Sequence, residues 1–323
     1  MNHQVEQLNN EGVKLFLNGN FDEAKIKYQE ALQISPNYTT TLNNLGMLYL
    51  QEKDFKKAEM YFSRANNEKD HPTYLLNLGH AFANQNLLDR AEECYVKSLE
   101  INSNSLIAWK SIASLYQLQK RFNDSVKIWE KIIQDYSRDP FYKIQLAKDL
   151  IELKEFQYAL KILSGASDFE KYQELAWYYM AVIHLNSKNF GLAETAINKS
   201  LALQPDNESF RILAATVYLG LSQLSKALFH WNYLLRIDET NHKVRTDKAV
   251  ALLAHGFAND ALAELNVVIS FDKNNIKALY YKALTLLELK EKKNEVVEIL
   301  KTLILSEHPY SKNARELLSK IEP

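Results

Sequence analysis

The sequence predicts an all-α solenoid, a row of helix hairpins stacked in tandem. Small residues recur at near-constant spacing, at Gly12, Gly46, Gly79, Ala113, Ala147, Ala181, Ala215, Ala249 and Ala283. In the second repeat Leu42, Leu45, Gly46 and Tyr49 sit at i, i+3, i+4 and i+7, one stripe of a helix. Ala58, Phe62 and Ala65 make a second stripe after a short break, so one period holds two helices. Only 8 Gly and 6 Pro in 323 residues fit long helices joined by short turns, and argue against an all-β chain.

Setting Gly12 at position 8 of a 34-residue period lays out nine repeats. They run 5–38, 39–71, 72–105, 106–139, 140–173, 174–207, 208–241, 242–275 and 276–309. The first places Ala24, Tyr28, Ala31 and Pro36 at positions 20, 24, 27 and 32. The fourth has Trp109, Ala113, Tyr116 and Trp129, and the sixth Trp177, Ala181, Ala193, Ile197 and Pro205. The fifth is irregular: Ser164-Gly165 should end its second helix early, with Gly165 as C-cap and Ser167 or Asp168 capping the next helix. The ninth puts Glu295 where the others carry Ala. Beyond Pro309, Ala314, Leu317, Leu318 and Ile321 form one more stripe, which reads residues 310–323 as a helix capping the array.

Composition narrows the function. A net charge of −1 gives no bulk attraction for nucleic acid or anionic membrane. Residues 1–10 lack a basic and an apolar leader segment, and the run Leu175 to Leu185 is too short to span a bilayer. The expectation is a cytoplasmic protein. Its eight His form no HExxH pair, and its glycines form no phosphate loop. Cys94, the one cysteine, stands beside Glu92 and Glu93, which oppose a reactive thiolate. No catalytic constellation emerges, and neither a cofactor nor a metal is implied.

Aromatic or Leu at position 4, Leu-Gly/Ala at 7–8, Tyr at 11, Ala at 20, aromatic at 24 and Pro at 32 resemble the tetratricopeptide repeat. The resemblance covers nearly the whole chain and implies a right-handed superhelix that binds peptides or proteins in a concave groove. In that family positions 2, 5, 6 and 9 of each first helix face the groove. Position 6 holds Asn10, Asn44 and Asn77 in the first three repeats. Similar superhelices, such as that of O-linked N-acetylglucosamine transferase, carry an asparagine ladder there. Free amides facing solvent could grip a peptide backbone through donor and acceptor alike. Further groove candidates are Thr73, His80, Lys110, Ser114, Gln145 and Lys148, then Tyr178, Tyr179, Tyr280 and Tyr281. The family's carboxylate clamp is not matched, since Asn9, Val13, Thr73 and Asn77 stand where three of its four residues would be basic. The function implied is a non-enzymatic interaction scaffold with a protein or peptide partner. The alternatives are an RNA-binding helical array, or an accessory subunit of an enzyme or assembly complex.

Overall fold

The computed structural model describes residues 2–305 and 308–321, and nineteen α-helices hold about four fifths of them, with no strand among the described residues. By internal contacts the chain forms two compact bodies, Met1–Ile162 and Leu163–Pro323. The first contains α1 (Asn2–Leu17), α2 (Phe21–Ile34), α3 (Thr39–Gln51), α4 (Phe55–Glu68) and α5 (Pro72–Asn84). It continues through α6 (Leu88–Ile101), α7 (Leu106–Leu118), α8 (Phe122–Asp135) and α9 (Pro140–Glu152), and the division falls within α10 (Phe156–Ser167). The second holds α11 (Gln173–Asn186), α12 (Phe190–Leu203), α13 (Glu208–Gly220), α14 (Leu224–Ile237) and α15 (His242–Ala254). Its last four helices are α16 (Ala258–Phe271), α17 (Ile276–Glu288), α18 (Lys293–Ile304) and α19 (Tyr310–Ile321). From α1 to α9, and again from α11 to α19, each helix packs on the next, which makes each body a solenoid.

Within a hairpin, positions 8 and 24 meet. Gly12, Gly46 and Gly79 each lie against an aromatic ring, of Tyr28, Phe62 and Tyr95. A Cβ on Gly46 would stand 2.6 Å from Phe62 Cε1, so the missing side chain is what admits the ring. Where position 8 is Ala, position 24 becomes Trp or a branched aliphatic, as in Ala181 with Ile197 and Ala249 with Leu265, all fully buried. Serine at a tight site satisfies its hydroxyl across the hairpin. Ser125 Oγ donates to the Ala113 carbonyl at 3.1 Å, and Ser98 and Ser200 reach the Pro72 and Glu174 carbonyls at 2.8 Å.

The hairpin turn has one invariant feature. Position 15 is left-handed in all nine repeats: Gly19, Lys53, Asn86, Lys120, Lys154, Lys188, Ser222, Gly256 and Lys290 have φ between 54° and 82°. Only two of these are Gly, although left-handed backbone costs an L-residue about 1–2 kcal/mol. Replacing Lys53 by Gly is therefore expected to stabilise by up to about 1 kcal/mol, the relief of strain less the added freedom of the unfolded chain. Thermal melts test this against Lys161→Gly in the interior of α10, which should destabilise by about 1 kcal/mol.

Between repeats, side-chain caps and long donors close the helix ends. Ser105, Asn207, Asn241 and Asn275 accept hydrogen bonds from the backbone N–H three residues on, the usual N-cap geometry. From position 4, Trp109 Nε1, Arg211 Nε and Arg245 Nη2 reach back six residues to the carbonyls of Ser103, Pro205 and Glu239, at 2.9, 2.7 and 3.0 Å.

Two readings of the sequence are corrected. The second helix of the fifth repeat does not stop at Gly165, because α10 runs on to Ser167. Ala159, Leu163 and Ala166 are fully buried at i, i+4 and i+7, and this packing outweighs the poor helix propensity of Ser164 and Gly165. The helix ends with Gln173 Nε2 donating to the Ser167 carbonyl at 2.8 Å, and Tyr172, with φ 66°, precedes α11. In the ninth repeat Glu295 does not occupy the alanine site. The turn between α17 and α18 has four residues where the others have three, so the buried stripe moves on by one to Val296, Leu300 and Leu303. Glu295 turns outward to Lys282 Nζ at 2.7 Å, and that ammonium holds its carboxyl below the usual range. α19 lies over the same cluster through Ala314, with Leu317, Leu318 and Ile321 half-buried around it.

Candidate functional site

The asparagines are where sequence and structure differ most. Asn44 Nδ2 donates to Asn9 Oδ1 at 2.9 Å, and Thr41 Oγ1 donates to the same oxygen at 2.9 Å. One repeat on, Asn77 Nδ2 donates to Asn43 Oδ1 at 2.9 Å. Position 6 of one repeat is thus bound to position 5 of the repeat before it. Asn9, Asn43 and Asn77 are buried, and only Asn10 is exposed, accepting a long bond from Asn9 Nδ2 at 3.4 Å. The expectation that all three ladder residues offer free amides to solvent is corrected: Asn44 and Asn77 hold the first three repeats together. Asn77→Ala should accordingly cost about 1–2 kcal/mol by stranding a buried carbonyl oxygen. Asn10→Ala should change the melting temperature little, and the two melts compared check the assignment.

The series ends at the third repeat because position 5 becomes Leu76, which cannot accept a hydrogen bond. A different link follows: His80 Nε2 lies 3.0 Å from Ser111 Oγ. Since the Ser111 hydroxyl donates to the Ile107 carbonyl at 3.0 Å, the imidazole donates through Nε2. Burial holds the His80 pKa below its ordinary value, so the ring is neutral at neutral pH. Here the surface opens into a cavity of about 410 Å³ between α5 and α7. Its apolar part is Ala83, Ile107, Leu115 and Leu118 with the Tyr95 ring, and its polar part is His80, Lys110, Ser111 and Ser114. Ile107 and Leu118, at the two ends of one face of α7, are 61% and 60% exposed.

The pocket's lysine has no carboxylate. Lys110 Nζ stands 5.8 Å from the centre of the Tyr142 ring and makes no ion pair among the described residues. In the next repeat Lys148 Nζ donates to the neutral Gln145 Oε1 at 3.4 Å. Thr73 is exposed at the start of α5, where the His71 ring caps its backbone N–H at 3.2 Å, and it does not line the cavity.

Models of the tetratricopeptide repeat match residues 5–38, 39–68 and 72–105. Residues 5–105 thus carry three tetratricopeptide repeats. Anaphase-promoting complex subunit 3 of Schizosaccharomyces pombe is 24% identical over 286 residues, covering 83% of this chain and 42% of that protein. BBSome complex member BBS4 of Bos taurus is 24% identical over 287 residues, covering 77% of this chain and 55% of the other. The chain therefore spans about half the length of these curated relatives. Among solved structures, the C-terminal part of a TPR repeat-containing protein from Cytophaga hutchinsonii aligns with a TM-score of 0.61 at 18% identity. That alignment covers 73% of this chain and 97% of the other, and it speaks for the fold alone.

The remaining candidates lie in later repeats. Tyr178 stacks on Phe210 with ring centres 5.0 Å apart, and Tyr179 meets Tyr178 edge-on at 5.1 Å. Burial raises both phenol pKa values. Tyr280 stacks on Tyr310 at 4.7 Å, beside Tyr281. All four rings are half-buried; Tyr178 packs on the next repeat, Tyr280 and Tyr281 pack on α19, and Tyr179 lies against Tyr178 on its own helix. Cys94 is buried, and burial, with Glu93 adding, pushes its thiol up to about 11. The cavity itself was missed by sequence reasoning. Its signal was Ile107, an apolar residue at position 2, where the first three tetratricopeptide repeats carry Glu6, Thr40 and Thr73.

Proposed function

We propose that the chain is a non-catalytic scaffold, a subunit that holds an extended segment of a partner protein against α5, α7 and α9. The observation that carries this reading is the cavity between α5 and α7, where the asparagine links lapse and apolar side chains stand exposed. An exposed apolar patch with a polar rim is the usual mark of a protein contact. Lys110, Gln145 and Lys148 carry the same face into the next repeat. The printed names of the relatives, members of the anaphase-promoting complex and the BBSome, support a place in a multi-protein assembly.

The test is co-purification from the cells that make the protein, with a photo-crosslinking residue at position 107. The intact chain should retain a defined set of proteins and crosslink to one of them. The Ile107→Asp, Leu118→Asp double variant should lose that set while keeping its helicity and melting temperature, since both side chains are exposed. An unchanged set on the folded double variant would move the contact elsewhere.

A further inference from the structure

We infer that this pocket selects a segment with one apolar side chain and two acidic residues three or four positions apart, the first acid pairing with Lys110 and the second with Lys148. The inference rests on the binding reading above and adds the chemistry of the occupant.

The apolar requirement follows from the cavity. Ile107, Leu115 and Leu118 give the α7 side of the cavity its apolar surface, against which an aliphatic side chain of the segment can be buried. The acidic requirement follows from how the other cations nearby are held. Lys97 pairs with Glu93 at 2.7 Å, Arg121 with Glu92 at 2.7 Å, and Lys131 with Asp135 at 2.9 Å. Lys110 and Lys148 are half-buried: Lys110 faces a ring and no acid, while Lys148 rests on a neutral amide with only the buried Asp149 carboxylate acting on its charge. A cation partly withdrawn from water without a counter-charge gains most from an arriving carboxylate. His80 is neutral and already engaged with Ser111, so Lys110 is the pocket's one full positive charge and calls for one acid.

The spacing follows from the solenoid. Neighbouring first helices lie about 10 Å apart. Lys148, at position 9, stands one helical turn further along its helix than Lys110, at position 5, which adds about 6 Å. The separation is then roughly 12 Å, and an extended chain advancing about 3.3 Å per residue covers it in three to four positions. The acids are side chains within the segment, since no second cation converges on Lys110 to hold a chain terminus.

Fluorescence polarisation with the full chain tests this. The probes are labelled dodecapeptides, acetylated and amidated, carrying Leu with two Glu at i and i+3 or i+4. Comparison peptides place the Glu residues side by side, replace them by Lys, or replace Leu by Ala. The spaced acidic peptides should bind at least about tenfold tighter than each comparison, a difference of about 1.4 kcal/mol. Lys110→Glu and Lys148→Glu should each remove that preference, and Lys161→Glu on α10 should not. Lys110→Glu should instead favour the peptide whose first Glu is Lys. Equal binding of acidic and basic peptides, or indifference to spacing, overturns the inference. If Ile107→Asp still abolishes binding in that case, the pocket reading survives alone. Binding untouched by Ile107→Asp sinks both, and displacement of the peptides by single-stranded RNA in a salt-dependent way assigns the lysines to nucleic acid and also overturns the inference.

Discussion

Phe62→Ala should destabilise the protein by about 3–5 kcal/mol, the usual range for deleting a buried aromatic side chain. The ring is fully buried and fills space left open by Gly46 on the facing helix. The more telling result is the effect of Gly46→Ala in the two backgrounds. In the native chain the new methyl would stand 2.6 Å from the ring and should cost about 1–3 kcal/mol through overpacking. In the Phe62→Ala background the same methyl enters a void, so the substitution should be neutral or stabilising. The change of sign is a coupling well above the few tenths expected of independent sites. Chemical denaturation of the four proteins gives it directly. Additive effects would show that the glycine is not there to admit the ring. The eighth repeat already uses the alternative solution, Ala249 with Leu265.

The second large effect is set by pH. His230 is 7% exposed and stacked on Tyr218 at 5.5 Å, with its Nδ1 3.4 Å from Arg211 Nη1. Burial, with the Arg211 charge adding to it, pushes its pKa down to about 4. A base whose folded pKa is depressed binds its proton more readily unfolded. Its contribution is therefore complete above the unfolded value near 6.5 and is lost as pH falls through the window down to about 4. By about pH 5, where most carboxylates are still ionised, the loss should reach about 2 kcal/mol. His80 and His184 are shifted the same way and add to the acid sensitivity, so the test is differential. His230→Phe keeps a ring over Tyr218 but cannot titrate. Between pH 7 and pH 5 it should lose about 2 kcal/mol less than the native chain. Equal losses would mean His230 accepts its proton in the folded state without penalty.

Much of the fold was legible because it rests on short-range periodicity. The hairpin stripes from Leu42 to Ala65, and the recurrence of small residues at position 8, follow from helix geometry alone. Elements went unread where a local signal lost to packing, or where no local signal exists. Ser164 and Gly165 favour a helix end, yet Ala159, Leu163 and Ala166 carry the helix past them. The extra residue at the turn before α18 is hidden in Leu289-Lys290-Glu291-Lys292, where composition does not reveal length. The asparagines show the same limit. Asn44 and Asn77 were visible as amides on the first helices. Their partners Asn9 and Asn43 lie 35 and 34 residues earlier, and nothing in a single sequence announces that pairing.

The one-residue insertion before α18 bears on how such a chain can diverge. An added residue rotates the following helix by about 100° about its axis. The helix meets this by presenting the next three residues inward, Val296, Leu300 and Leu303, to the same neighbours. The left-handed turn at Lys290 is retained, with a second left-handed residue, Lys292, taking up the slack. Length changes at this joint are thus absorbed within a single hairpin and are not passed to the next layer. Lineages descended from such an ancestor are free to gain and lose turn residues while the layers stay in step. Over time the written period blurs faster than the architecture it once specified.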